Sequence, residues 1–410
     1  MPTNADLARV FRAESGRILS VLLAQYRDMD LAEEALQDAC LQASEQWPSK
    51  GVPQNSAGWL LTVARRRLID RLRKSTHANK EEVIQAISDS LTATEQIAEE
   101  AQEIPDERLK LIFVCCHPAL AENARVALTL KTLCGLTVPE ISRAYLLSES
   151  ALHQRLSRAK RKIKKSGIAY EVPQDQQLAE RVSSVLEVIY LIFNESYTAF
   201  EGQSLTRVEL AEEALRLARV LYRLLPRPDV AGLLALMLLH HARHEARSSD
   251  TRAFIPLAEQ DRRLWDQEAI SMGRQLLLTA MAKGQAEKYQ IQAAISALHA
   301  EADCWENTDW AQIQLLYYEL YKQEPSPIVE LNRIVAMANS GREQQALQSM
   351  QGLAEELEEY QPYHAALADL AAKLGDNSLA HTHFANAIAM TKNNAERDYL
   401  VQQLAALESE

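Results

Sequence analysis

Glycine is scarce in this chain, 12 residues in 410, where ordinary proteins hold roughly 7%. Tight hairpins, strand bulges and phosphate-cradling loops all draw on glycine's freedom at positive φ. A chain this poor in it is steered away from barrels, sandwiches and Gly-rich nucleotide loops, and towards an all-α fold. Hydrophobic residues make up 47%, enough to bury cores, and the length implies roughly two to four domains. The longest strictly apolar run, Val230–Leu239, has ten residues, half of the about 20 that a membrane span needs. The opening MPTNADLARVF lacks a charged-then-apolar leader, and five cysteines, an odd number, read as reduced thiols. The expectation is a soluble, cytoplasmic, helical protein.

The formal net charge of -12 conceals an uneven distribution. Residues 1–167 hold 24 Lys and Arg against 21 Asp and Glu, whereas residues 168–410 hold 20 against 35. Cations gather in Trp59–Lys74, six against one acid, and in Glu149–Gly167, seven against one. Two basic helices in an acidic chain suit a partner bearing phosphates, although solvated helix faces share that composition. Residues 75–107 hold nine acids against one Lys and read as a flexible acidic linker.

Periodicity places these charges. Ala32, Ala35, Leu36, Ala39 and Ala43 recur at helical spacing, which makes one buried stripe and turns Glu33, Glu34, Gln37 and Asp38 outward. Trp47-Pro48 is expected to end that helix, and Ser49–Ser56 to form a loop. Ser56 would then cap a helix Ala57–Lys74 packed through Leu60, Leu61, Ala64, Leu68 and Leu72. Further on, Thr137-x-x-Glu140 is a capping box with Pro139 in the first turn. It opens a short helix Val138–Ala144, packed through Ile141. After a turn containing Leu146, where glycine is common, Ser148 can cap a second helix with a stripe at Leu152, Leu156, Ala159 and Ile163. Ser150, His153, Gln154, Ser157, Arg158 and Arg161 are left for a ligand. A short helix, a tight turn and a polar, basic second helix are what reading a major groove requires.

Residues 178–407 are helix after helix. Gly341 and Gly375 lie 34 residues apart, as do Ala346 and Ala380, the period of tetratricopeptide helix pairs. Leu210–Pro226 looks like the second helix of another such pair. His240 and His244, at i and i+4, could share a metal, but no Glu lies between them as in HExxH and no third ligand is evident. Cys115-Cys116-His117 sits in an apolar run without a second ligand cluster, the pattern of core packing. Trp59 suits either stacking on a base or anchoring its helix. No arrangement of catalytic residues stands out, so no enzyme, cofactor or metal is expected.

Taken in order, Asp30–Trp47 followed by GVPQNSAGWLLTVARRRLIDRLRK resembles region 2 of a bacterial RNA polymerase sigma factor of the extracytoplasmic-function (ECF) type. The stretch LIFVCCHPALAENARVALTLKTLCGLTVPEISRAYLLSESALHQRLSRAKRKIK resembles region 4. CCHPAL, LLALMLLHHAR, EQDRRLWD, YQIQAAISALHA and SPIVELNRIVAMA are similar to a subgroup with a tetratricopeptide-like C-terminal extension. Cys40 departs from the aromatic usual at its position. The resemblance implies four segments: region 2 in 1–76, an acidic linker in 77–107, region 4 in 108–170 and an α-solenoid-like extension in 171–410. It implies binding to core RNA polymerase, its β′ and β subunits, through Glu33, Glu34, Gln37 and Asp38. Asn55, Trp59, Arg65, Arg67, Arg71 and Lys74 would serve a minus-10 promoter element. Ser150, His153, Gln154, Arg155, Arg158, Arg161 and Lys162 would serve a minus-35 element. The repeats would set activity through a protein partner, with no membrane involved. A rival reading is a polymerase-independent helix-turn-helix regulator with a repeat sensor domain.

Overall fold

The computed structural model describes residues 4–75, 105–145, 147–198, 206–249, 254–282, 284, 286–391 and 393–407. Among them every regular element is helical, as the glycine count predicts. The chain divides into two compact units, Met1–Ile192 and Phe193–Glu410.

The first unit begins with α1 (Asn4–Tyr26), α2 (Met29–Lys50) and α3 (Ser56–Ser75). Asp28 caps α2, its carboxylate accepting from the backbone N–H groups of Asp30 and Leu31 at 3.1 and 3.2 Å. Ala32, Ala35, Ala39 and Ala43 are each 0% exposed, because methyl side chains let α1 and α3 approach the α2 backbone closely. Pro48, expected to stop the helix, lies inside it. Its missing N–H forgoes one bond to the preceding turn, but the helix ends two residues later, where Gly51 closes it by donating to the Trp47 carbonyl at 2.9 Å. Its φ of +83° is a region that favours glycine. The cap of α3 is Asn55 rather than Ser56. Its Oδ1 accepts from Gly58 N–H at 2.8 Å, and a Cβ on Gly58 would lie 2.6 Å from that amide, so glycine admits the cap. Trp47 is buried at 1% exposure with the rings of Phe11 and Trp59 at 5.7 and 5.3 Å.

α4 (Pro105–Cys115), α5 (Glu122–Thr132), α6 (Val138–Ala144) and α7 (Glu149–Lys165) complete the helical frame. α4 starts at Pro105, inside the segment expected as linker; proline suits a first turn. Residues 76–104, the rest of that acidic stretch, lie outside the described residues. The LIFVCC run is core: Ile112, Phe113 and Cys115 are all 0% exposed. Part of α8 (Asp175–Thr198) docks on it. Arg181 donates to the Phe113 carbonyl at 2.7 Å, Ser184 to the Cys116 carbonyl at 2.7 Å, and Arg125 to Ser184 at 2.6 Å.

The second unit contains α9 (Thr206–Leu224), α10 (Pro228–His241), α11 (Gln267–Met281), α12 (Lys288–Glu301), α13 (Trp310–Gln323), α14 (Pro327–Asn339), α15 (Glu343–Gln351), α16 (Ala354–Leu357), α17 (Gln361–Lys373), α18 (Asn377–Met390) and α19 (Asn394–Leu407). The ten-residue apolar run is α10, buried all round by α9, α11 and α12. Equivalent positions of the 34-residue period adopt equivalent geometry. Gly341 and Gly375 take φ of +85° and +77° after α14 and α17, and Ala346 and Ala380 are both 0% exposed on the following helices. The short α16 interrupts the repeat.

Gly341→Ala and Gly375→Ala should each cost about 1–2 kcal/mol from the left-handed backbone. Ala380→Leu should cost about 1–3 kcal/mol by overpacking. Urea unfolding of the full chain checks both; equal stability would mean the turns relax without strain.

Candidate nucleic-acid interface

The helix-turn-helix forms as its caps dictate. Thr137 N–H donates to Glu140 Oε2 at 2.7 Å and Glu140 N–H donates to Thr137 Oγ1 at 3.4 Å. Arg12 pairs with the same carboxylate. Burial pushes the Glu140 carboxyl up, but the bonds from Thr137 and the Arg12 charge outweigh it, and its pKa falls below the usual value. Ser148 Oγ accepts from Ala151 N–H at 3.2 Å and starts α7. Leu146 lies outside the described residues.

Leu152, Leu156 and Ala159 are buried, fastening one face of α7 to α5 and α6. That orientation leaves Ser150, His153, Gln154, Ser157, Arg158, Arg161 and Lys162 exposed, with Arg155 half-buried. Gln154, Arg155, Arg158 and Lys162 line a cavity of about 460 Å³ together with Ala121, which immediately precedes α5. Cationic side chains gathered beside backbone N–H groups of a helix start suit an anionic oxygen.

α3 departs from expectation at Arg65. It shares a face with Leu61 and Leu68 and is 4% exposed, near enough to Tyr26 for its charge to act on that phenol. Arg65 is therefore withdrawn from any phosphate. Arg67 is exposed and donates to Gln42 at 3.3 Å. Arg71 pairs with Glu34 and, at 2.8 Å, with Asp38, and the Asp38 hydrogen bond raises its pKa. Asn55 is exposed while capping α3, and Trp59 is half-buried against Trp47. Lys74 falls in the last turn of α3, with its side chain outside the described residues.

On the acidic face Glu34 and Gln37 are exposed and Asp38 is half-exposed. Glu33, expected to face outward, is turned towards the helix-turn-helix. Its Oε2 lies 2.7 Å from Lys160 Nζ, and Thr132 Oγ1 donates to its Oε1 at 3.4 Å. Lys160 also reaches Asp30 at 2.9 Å, and Lys164 reaches Asp28 at 3.4 Å. Burial alone would lower the Lys160 pKa, but Glu33 and Asp30 prevail and raise it. The hydroxyl of Tyr170 lies 2.9 Å from the Ser20 carbonyl and 3.0 Å from that of Glu107. Lys160 and Lys164 escaped the sequence reading. Their one signal was position: Lys160 follows Leu156 by four residues, beside the buried stripe.

The other candidates resolve as packing. α10 ends at His241, so His240 and His244 do not share a helix face. His240 bonds to Ser296 at 3.0 Å, and burial pushes its pKa down to about 3. His244 stacks on His241 at 5.6 Å. Cys116 approaches Thr129 Oγ1 at 3.5 Å and burial pushes its thiol up to about 11, while His117 Nδ1 accepts from Ala119 N–H at 3.0 Å.

Residues 10–78 match the Sigma-70 region 2 family, and residues 110–163 match Sigma-70 region 4. Residues 181–281 match a family of unknown function, DUF6596. With the capped helix-turn-helix and the acidic α2, these matches define a sigma-type transcription initiation factor. The chain belongs to the ECF RNA polymerase sigma factors, in a form with a C-terminal helical extension. It is 40% identical over 408 residues to an uncharacterized protein of Rhizobium meliloti, covering 99% of this chain and 96% of that one. It is 29% identical over 165 residues to the ECF RNA polymerase sigma factor SigK of Mycobacterium tuberculosis, covering 39% of this chain and 85% of that one. SigK of Mycobacterium ulcerans is 28% identical over 149 residues, 35% of this chain and 76% of its own. No solved structure matches. Among the described residues no helix is long and apolar enough to cross a membrane.

Glu140 sets an acid limb. Its lowered pKa means its contribution, about 1–2 kcal/mol, is complete above the ordinary value of 4.5 and is lost as pH falls through its lower folded value. Unfolding midpoints of wild type and Glu140→Gln should differ at pH 7 and converge as pH falls below 4.5 and through the lower folded value; a constant difference would assign the effect to packing.

Proposed function

We propose that this chain binds core RNA polymerase, directs it to a promoter with minus-35 and minus-10 elements, and opens the duplex without nucleotide hydrolysis. The observation that carries the reading is α7: a doubly capped helix-turn-helix whose apolar stripe is buried and whose polar, cationic face is free. Ser150, His153 and Gln154 suit base edges, and Arg155, Arg158, Arg161 and Lys162 suit phosphates. Asn55, Trp59, Arg67, Arg71 and Lys74 serve the minus-10 strand, where unstacked bases meet an aromatic and a cationic edge. Glu33, Glu34, Gln37 and Asp38 dock on a basic clamp of the β′ subunit. The acidic stretch ahead of α4 threads the polymerase channels that RNA later occupies, and the extension, 171–410, regulates activity. Its acid excess suits a protein partner over DNA.

Lys160 bears on the polymerase step. Its ammonium occupies Glu33 and Asp30 in the free chain, so a basic clamp on polymerase must displace it. Lys160→Gln should bind core polymerase several-fold more tightly in a capture assay. Glu34→Lys with Asp38→Lys should weaken capture at least tenfold, and residues 1–192 should differ from the full chain in transcription. No capture of wild type or 1–192 would sink the sigma reading and leave the stand-alone regulator; identical transcription would remove the regulatory role of the extension.

His153→Ala and Gln154→Ala should each cost about 1–3 kcal/mol at the cognate minus-35 sequence and relax preference there. Arg158→Ala should instead weaken all sequences alike and reduce the salt slope by about one. Gel-shift titrations of the holoenzyme at several salt concentrations separate the two effects. An unchanged preference in the first two variants would assign base reading elsewhere.

A further inference from the structure

Residues 168–410 hold 35 acids against 20 bases, yet α9 presents Arg216, Arg219 and Arg223 on one face, three and four residues apart. Like charges at this spacing repel. Arg216 is offset by Glu213 at 2.7 Å. Arg219 and Arg223 are exposed, and neither has an ion-pair or hydrogen-bond partner among the described residues. All three border a groove of about 630 Å³ floored by Leu234, Met272 and Leu276, with Met272 left 43% exposed.

A solvated helix face would not need an apolar floor, and a hydrophobic docking site would not need unneutralised arginines at its wall. Together they call for a ligand with both characters. The volume falls within the roughly 300–1,000 Å³ of small-molecule sites. The arginines span only about 10 Å of helix at 1.5 Å per residue, the length of a short chain rather than of a docked protein helix. We propose that this groove binds a small amphiphilic anion, a phosphate monoester carrying a short alkyl or aryl body. The phosphate sits between Arg219 and Arg223, where guanidinium groups can bond its oxygens in pairs. The apolar body covers Met272 and Leu276. The DUF6596 portion of the chain would then be a ligand-sensing module. Binding does not rest on the sigma reading, since it is measured without polymerase or DNA.

Calorimetric titration of the full chain with octyl phosphate, below its micelle-forming concentration, tests this. Octyl glucoside supplies the tail without the charge, inorganic phosphate the charge without the tail, and octanoate a carboxylate in place of the phosphate. Saturable one-to-one binding of octyl phosphate is expected, at least tenfold tighter than any of the three. Arg219→Gln with Arg223→Gln should weaken it at least tenfold at unchanged unfolding temperature, because both side chains are exposed. Equal binding of octyl glucoside, of inorganic phosphate or of octanoate would overturn the proposed ligand class. Undiminished binding by the double variant would overturn the site. Absence of saturable binding, or binding only to vesicles of anionic lipid, would overturn the proposal altogether.

Discussion

The ammonium of Lys160, held between Asp30 and Glu33, ties the two sigma regions of this chain together. Lys160 is 16% exposed and Glu33 18%, so the pair stands between two regimes. A surface pair is worth up to about 1 kcal/mol, whereas breaking a buried pair costs about 3–5 kcal/mol. It does not act alone: Lys164 on Asp28, Arg12 on Glu140 and Tyr170 on two backbone carbonyls line the same seam. Apolar packing shares this seam, since α1 also lies against α4 and α5, with Leu22 and Leu111 both 0% exposed. The charged pairs can exchange partners with other charges, whereas the packed part holds the two regions through buried apolar area.

One helix serves both sides of that exchange. Along α7 the buried stripe of Leu152, Leu156 and Ala159 divides the surface in two. Arg158, Arg161 and Lys162 lie on the free side, while Lys160 is drawn into the seam and Lys164 joins it from an exposed position. α3 shows the same division: Arg65 is buried, Arg71 is tied to Glu34 and Asp38, and Arg67 is open. Identical residue types thus take three roles on one helix, set by their angle to the core.

The extension is built on different physics. Its interior is assembled from several separate apolar clusters strung along the helices, and small residues at the repeat positions let successive helices lie close. α10, apolar on every side, is the exception and requires neighbours all round it. The cationic groove borders this α10 layer rather than the regular repeat, so the least repetitive part of the extension is also the part with a feature suited to a ligand.

Much was legible from residue order, because it rested on local rules. Low glycine content excluded strand-rich folds, the alanine stripe placed α2, and the Thr137–Glu140 box and Ser148 placed the helix-turn-helix within a residue. The 34-residue spacing located two glycines that both adopt positive φ. Errors were local too: Pro48 was tolerated because its helix was already ending, and Asn55 took the cap because Gly58 left room for it. What periodicity could not supply was the partner of each charge. Glu33 and Glu34 are neighbours on one exposed-looking face, yet one meets Lys160 and the other Arg71. Lys160 and Glu33 are 127 residues apart, and no local pattern relates them. The sequence by itself determined which segments are helical, which faces are apolar and which family the chain resembles, because each depends on near neighbours along the chain. Only the tertiary structure decided which charges remain free, because an ion pair is made by proximity in space.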